Sequence, residues 1–258
     1  MSATIIENIP SLSAMKKYPK TLFYKGNLTL LQRPKVSIVG TRNPSNYTRE
    51  FTYSLARALG KRGVCIVSGA AMGVDAIAHA GAGEDNTIAV LGNGLDIRYP
   101  MLNKSLIENI EKNGLLMSQF DDGFRATGWS FVVRNELVVA LGDILIVTEA
   151  DLKSGSMRSI EYALKMGKEI FVLPQRLGES LGTNTLLSEG KATAINDVET
   201  FASRFGQAVS SQMKKDDFFY FCQSSPTFDE TISRFGDKVY EAELEGLVTI
   251  HNGIVRLQ

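Results

Sequence analysis

The sequence predicts an α/β fold, a mainly parallel sheet covered by helices, with a small domain after it. Three observations carry this expectation. From Lys35 to about Val198, short β-branched apolar runs alternate with stretches of helical period. Four of the five runs are followed by Gly or Ser and then a helix. Near residues 205–216 the alternation gives way to a polar stretch, SRFGQAVSSQMKKDD, which reads as a linker. With 258 residues, 44% of them hydrophobic, the chain can bury such a core and carry a small appendage.

Residues 1–34 are expected to form an extension that packs on the sheet domain, which spans 35–205. Its strands are VSIVG (36–40), VCIVSG (64–69), TIAVLG (87–92), DILIVTEA (143–150) and EIFVLP (169–174). Between the first two, NYTREFTYSLARALGKRG sets Phe51, Leu55, Ala58 and Leu59 on one apolar stripe. Gly60 or Gly63 can stop that helix, completing a βαβ unit. The same logic places helices over 74–83, 101–114 and 156–168. Each begins just beyond a strand's carboxyl end, the edge of an open α/β sheet where ligands bind. The linker is set at 206–215 and the C-terminal domain at 216–258.

Composition narrows the function. No apolar run approaches the roughly 18–20 residues that cross a bilayer, and the first residues lack a signal peptide's layout, so a cytoplasmic protein without membrane contact is expected. Two cysteines, Cys65 and Cys222, provide neither a disulfide framework nor a zinc ribbon. Zero net charge hides an uneven distribution. Residues 1–62 hold eleven Lys and Arg against Glu7 and Glu50, whereas Asp216 onward holds eight acids against Arg234, Lys238 and Arg256. A polyanion should therefore meet the N-terminal part, with Lys16, Lys17 and Lys20 either contacting it or forming a solvated leader.

Five motifs hold candidate chemistry. In SIVGTRNPSNYTRE, Gly40, Thr41 and Arg42 reach the loop before a helix, where Arg42 can fork onto a phosphate and Ser45, Asn46 or Thr48 can cap. In VSGAAMGVDAIAHAGA, Gly69 and Gly73 let a helix start approach the sheet or a ligand. Asp75 and His79 share one helical face, and a structural contact between them is expected, since the only other histidine is the distant His251. Gly92-Asn93-Gly94 imitates a dinucleotide fingerprint, but Ile97 stands where its third glycine belongs. No Walker A loop is present; ahead of Gly190-Lys191, Thr185 replaces the first glycine. Ser154, Gly155 and Ser156 form a hydroxyl-rich helix start beside Lys153 and Arg158, suited to an oxyanion or to simple N-capping. WSFVVRNELVVA carries Arg134 and Asn135, with Trp129 and Phe131 either stacking surfaces or core. No metal site, cofactor site or catalytic residue is expected from these motifs.

Together and in this order, YPKTLFYKG, IVGTR, VSGAAMGVDAIAHAGA, TIAVLGNGLDIRYP, FVVRN, EADLKSGSMRSIEYALKMGK, Gly182-Thr183-Asn184 and LEGLVTIHNGIV resemble the bacterial DprA/Smf DNA-processing family from about Tyr18 to the end. The resemblance implies an extended Rossmann-like domain that forms a homodimer. It also implies binding of single-stranded DNA without sequence preference, protection of incoming strands, and loading of the RecA recombinase in natural transformation. It maps Gly40, Thr41 and Arg42 onto the family's DNA-pocket loop, Gly69 and Gly73 onto its second glycine segment, and Arg134-Asn135 onto its arginine-asparagine motif. Ser154, Gly155 and Ser156 complete the implied pocket, with Lys153 and Arg158 beside it. Three positions depart from the pattern: Val132 stands for a proline, Glu136 for a second arginine and Gln175 for a glycine. Glu136 removes the doubled positive charge next to Arg134-Asn135.

The rival expectation is a nucleotide-binding enzyme or sensor of the Rossmann-like phosphoribohydrolase group, with Glu161 as its acid or base. The C-terminal piece resembles the family's small winged-helix-like domain, in which EAELEGLVTIHNGIVRL supplies a helix end and a short β-wing. Its excess of acids opposes phosphate contact, so an interaction or assembly role is expected. Residues 216–258 in isolation should fail to retain single-stranded DNA on a filter. A signal comparable to that of residues 1–205 would overturn this.

Overall fold

In the computed structural model, residues 2–5, 8–206 and 217–257 are described. The chain divides into two compact units, Met1–Val209 and Ser210–Gln258. Of the expected linker, only Gly206 is described; 207–215 lie outside the described residues, as does Asp216.

The larger unit is built on one nine-stranded sheet. In chain order its elements are β1 (Ala3–Thr4), β2 (Phe23–Gly26), β3 (Lys35–Val39), α1 (Asn46–Gly60), β4 (Cys65–Ser68), α2 (Val74–Ala82) and β5 (Thr87–Leu91). Then follow α3 (Lys104–Asn113), β6 (Leu115–Ser118), α4 (Gly128–Leu141), β7 (Ile144–Val147), α5 (Gly155–Lys165), β8 (Ile170–Val172), α6 (Leu181–Ser188), β9 (Thr193–Ala194) and α7 (Val198–Ala202). The spatial order is β1-β2-β6-β5-β4-β3-β7-β8-β9. Every pairing from β6 through β9 is parallel, while β1–β2 and β2–β6 are antiparallel. The fold is the expected Rossmann-like α/β arrangement.

The five expected strands appear as β3, β4, β5, β7 and β8, buried along their whole length because helices cover both faces. On one face Val36, Ile38, Ile66, Ile146 and Phe171 meet Leu55 and Leu59 of α1, Ala78 of α2 and Phe201 of α7. On the other, Val67, Val90, Leu145 and Val147 meet Leu137 and Leu141 of α4 and Ile160 of α5. Ser45 is the cap of α1, its Oγ accepting from the Thr48 amide at 3.2 Å. The helix expected over 101–114 is a single 3-10 turn, Met101–Asn103, followed by α3.

Sequence periodicity did not reveal β2, β6 or α4. The described residues before β3 also do more than rest on the sheet: they contribute β1 and β2 to it and bury Leu12, Leu22 and Leu30. Cys65 in β4 and Cys222 in the smaller unit are both buried and outside any disulfide, and burial pushes the Cys65 thiol up to about 12.

Among its described residues the smaller unit has three helices, α8 (Asp217–Cys222), α9 (Phe228–Phe235) and α10 (Lys238–Leu244). An antiparallel hairpin of β10 (Val248–His251) and β11 (Ile254–Leu257) follows. Val239, Ala242, Val248 and Val255 form its core with Phe218 and Cys222. Thr227 and Glu230 close a capping box on α9.

The sheet's centre is where truncation should cost most. Ile38, wholly buried in β3, the middle strand of the parallel run from β6 to β9, faces the α1/α2 layer. Ile38→Ala should lower unfolding free energy by about 2–5 kcal/mol in a urea titration.

Candidate functional site

β3 is the first strand of the parallel sheet and lies between β4 and β7. From β3 the chain winds outward through β4, β5 and β6, then returns to β7 and winds the other way to β9. Loops leaving β3 and β7 therefore diverge to opposite faces, and a crevice opens beyond their carboxyl ends. A cleft of about 620 Å³ occupies this position. Gly40, Thr41 and Arg42 line it from β3, Phe131, Arg134 and Asn135 from α4, and Ser154, Gly155 and Ser156 from the start of α5.

Arg134 is its fixed point. The side chain is 4% exposed, and Nη1 donates to the Val90 carbonyl at 3.0 Å. The guanidinium fills the space in front of Gly69, where a Cβ would stand 1.4 Å from Nη1. Only glycine permits this approach. Asp75 Oδ2 lies 4.0 Å from the same nitrogen and accepts the Gly69 and Ala71 amides at 3.1 and 3.4 Å. Burial pushes the Asp75 carboxyl up and the Arg134 guanidinium down, and their mutual attraction opposes both shifts.

The expected Asp75–His79 contact is replaced by a division of labour. His79 Nε2 accepts the Ala70 amide at 3.3 Å, between the two amides held by Asp75. Its Nδ1 meets Thr87 Oγ1, whose own proton goes to the Ile66 carbonyl at 2.9 Å. That wiring requires a neutral imidazole protonated on Nδ1. Burial, with Arg134 nearby, lowers His79 to about 3. The amides of Gly69, Ala70 and Ala71 are thus spent inside the protein. Sequence left this glycine segment open to a ligand; at these three residues the backbone donors are already taken.

Gly73 has a different task. With φ of +77° it crosses the other loop so closely that a Cβ would lie 2.5 Å from the Thr41 carbonyl oxygen. The Val74 amide donates to that same oxygen at 3.1 Å, and the Thr41 amide donates to the Glu149 carbonyl at 2.9 Å. Glu149 Oε2 accepts the Ser45 amide and hydroxyl, each at 3.0 Å. The loop carrying Arg42 is therefore anchored along its backbone while the Arg42 side chain stays exposed. Among the described residues Arg42 forms no ion pair. Its guanidinium carbon lies 5.6 Å from the Phe131 ring centroid, and that of Arg134 lies 5.8 Å from it. Phe131, left open between stacking and core by the sequence, is a half-buried ring with two cations near it.

The remaining candidates separate. Ser154 caps α5 without a side-chain capping bond, and its hydroxyl has no protein partner. Gly155 and Ser156 follow at the positive end of the helix. Lys153 is exposed and does not line the cleft. Arg158 points elsewhere, paired with Glu161 at 3.0 Å on the α5 surface. Glu161 is thus outside the cleft, contrary to the enzymatic role suggested for it. Asn93 closes its own turn by donating to the Gly94 and Ile97 carbonyls, both at 2.9 Å. Among the described residues no cluster of His, Cys, Asp and Glu can hold a metal, and no helix is long and apolar enough to cross a membrane.

Two departures from the family pattern also find their places. Glu136 does not line the cleft; its Oε1 accepts the Lys16 amide at 3.1 Å. Gln175 ties α1 to the end of β7, donating to Thr48 Oγ1 at 3.1 Å and to the Thr148 carbonyl at 2.9 Å.

With this geometry established, comparison with known proteins is decisive. A model of the DNA recombination-mediator protein A family matches residues 7–206. The chain belongs to this family. It is 38% identical over 195 residues to the DNA processing protein DprA of Streptococcus pneumoniae, covering 74% of this chain and 69% of that protein. Protein Smf of Synechocystis is 36% identical over 193 residues, which cover 72% of this chain but 48% of the relative. The chain thus spans only about half of that relative's length. DNA processing protein A of Helicobacter pylori, solved for its single-stranded DNA binding mode, superposes with a TM-score of 0.77 at 43% identity. That match covers 79% of this chain and 95% of the solved one.

His79 makes this architecture pH-sensitive. Between pH 6.5, its ordinary value, and about 3, the unfolded chain takes up a proton that the native imidazole refuses. This contribution to stability is complete above pH 6.5 and is lost as the pH falls through that window. Urea midpoints should fall from pH 7.5 to 4.5, and His79→Gln should flatten that part of the slope.

Proposed function

We propose that the cleft binds single-stranded DNA without sequence preference. The observation that carries the reading is the Phe131 ring with the Arg42 and Arg134 guanidinium carbons 5.6 and 5.8 Å from its centroid, in the cleft that the uncapped N-terminus of α5 also lines. Cations and a helix start suit phosphates, and a ring suits any base, because every base has a π-face. In this reading Arg42, Ser154, Gly155 and Ser156 take successive phosphates, while Asn135 meets the strand beside Phe131. Arg134 supplies charge from beneath. Gly40, Thr41, Gly69 and Gly73 shape the walls, and Lys153 and Arg158 add to the surrounding field. The Helicobacter pylori relative's single-stranded DNA binding mode supports the assignment.

The protein is further proposed to protect incoming strands in the cytoplasm and deliver them to RecA as a homodimer. Membership of a family of recombination mediators supports this role. The acidic smaller unit is assigned to assembly with protein partners, its charge being the wrong sign for phosphate. No catalytic step is proposed, since the cleft's one carboxylate, Asp75, is committed to the 69–71 loop and Arg134.

Fluorescence anisotropy with a labelled oligonucleotide, its duplex and a nucleoside monophosphate tests the reading. Salt-sensitive preference for the single strand is expected. Arg42→Ala should weaken binding of all sequences alike by about 1–3 kcal/mol and reduce the magnitude of the log–log salt slope by about 0.7. Unchanged affinity in Arg42→Ala at moderate salt would place the site elsewhere. Binding of the monophosphate alone would favour a nucleotide-binding enzyme or sensor.

A further inference from the structure

Helix α4 shows two stripes to two separate hollows. Gly128, Phe131, Val132 and Asn135 line the cleft, whereas Trp129, Val133 and Glu136 line a second groove of about 540 Å³. With 3.6 residues per turn the stripes lie about 100° apart, so the two hollows share the first turn of α4 as a ridge on the order of 10 Å across. A strand leaving Phe131 would need about three nucleotides at stacked spacing to cross it.

The groove is built for a flat ligand. Trp129 is 64% exposed, which is costly for an indole without a partner. Phe120 holds it in a T-shaped contact at 5.9 Å, and Phe120 in turn stacks on Phe124 at 4.5 Å. This aromatic wall is fixed from behind and open in front. Lys17, Tyr18 and Lys20 of the N-terminal segment also line the groove, and among the described residues neither lysine forms an ion pair. Two carboxylates line it as well. Glu136 accepts the Lys16 amide, while among the described residues the Asp121 carboxylate has no partner and can accept from the exocyclic amino group of a base.

We propose that this groove is a second nucleobase-stacking subsite, in which a base of a strand already held in the cleft stacks on Trp129 while Lys17 and Lys20 take the flanking phosphates. The inference rests on the single-stranded DNA reading of the cleft. Its occupant is the continuation of the same strand, as the shared α4 ridge and the unpaired lysines indicate.

Trp129 is the chain's one tryptophan, so indole emission reports on this groove alone. A labelled oligonucleotide of about 15 nucleotides, within the span single-strand sites cover, is titrated while probe anisotropy and indole emission are both read. Emission should be quenched in step with the anisotropy rise. Trp129→Ala should weaken binding about tenfold, and Trp129→Phe, which keeps a stacking face, should recover most of the loss. Lys17→Ala with Lys20→Ala should lower the salt slope while leaving the quench at saturation. Thermal melts of the variants should match the parent, because the ring is exposed. Unchanged emission, or unaltered affinity in Trp129→Ala, while anisotropy still reports binding overturns the subsite and leaves the cleft reading standing. Absence of any anisotropy change overturns both.

Discussion

The site depends on a buried guanidinium occupying the space that Gly69 leaves vacant. A charge at that depth survives only with partners around it, and the fold supplies them from three directions: the Val90 carbonyl, the Asp75 carboxylate and the Phe131 ring. Those partners come from β5, α2 and α4, so the arginine joins elements from both faces of the sheet. Asp75 and His79 then fix the 69–71 loop amide by amide, which keeps Gly69 where Arg134 needs it. Rigidity beneath the cleft is thus bought with backbone donors that sequence alone offers to a ligand.

The sequence showed the sheet where its strands are β-branched and buried on both faces, as in VSIVG and DILIVTEA. It concealed β6, four residues of Leu-Leu-Met-Ser whose side chains have no strong strand preference, and β2, whose Phe-Tyr-Lys-Gly is too short to show alternation. Helix α4 escaped because Val132, Val133, Val138 and Val139 favour strands when isolated. Tertiary contact decides the matter, since Leu137, Val138, Val139, Ala140 and Leu141 are all buried and leave little polar face to set a period.

Candidate residues were legible at the loops after β3 and β7, because glycines and hydroxyl residues at helix starts are local signals. What they do was less legible, because it depends on neighbours distant in sequence. Arg134 and Gly69 are 65 positions apart, and their fit appears in neither motif. The change to Glu136 suggested a weakened pocket, yet it falls on a different stripe of α4 from Phe131 and Asn135. One residue's shift along a helix turns a side chain by about 100°, enough to move a charge to another surface.

The two cleft arginines differ in freedom. Arg134 is immobilised before any ligand arrives and surrenders no rotamer entropy on contact, while the exposed Arg42 must surrender on the order of 2 kcal/mol. The cleft therefore combines a static anvil with a mobile clamp. In the proposed reading the anvil would fix where a chain of negative charges rests, and the clamp, able to swing away without disturbing the core, would set its residence time. A polymer held as proposed would leave one phosphate at a time, so that a strand would pass to a successor without ever being wholly free.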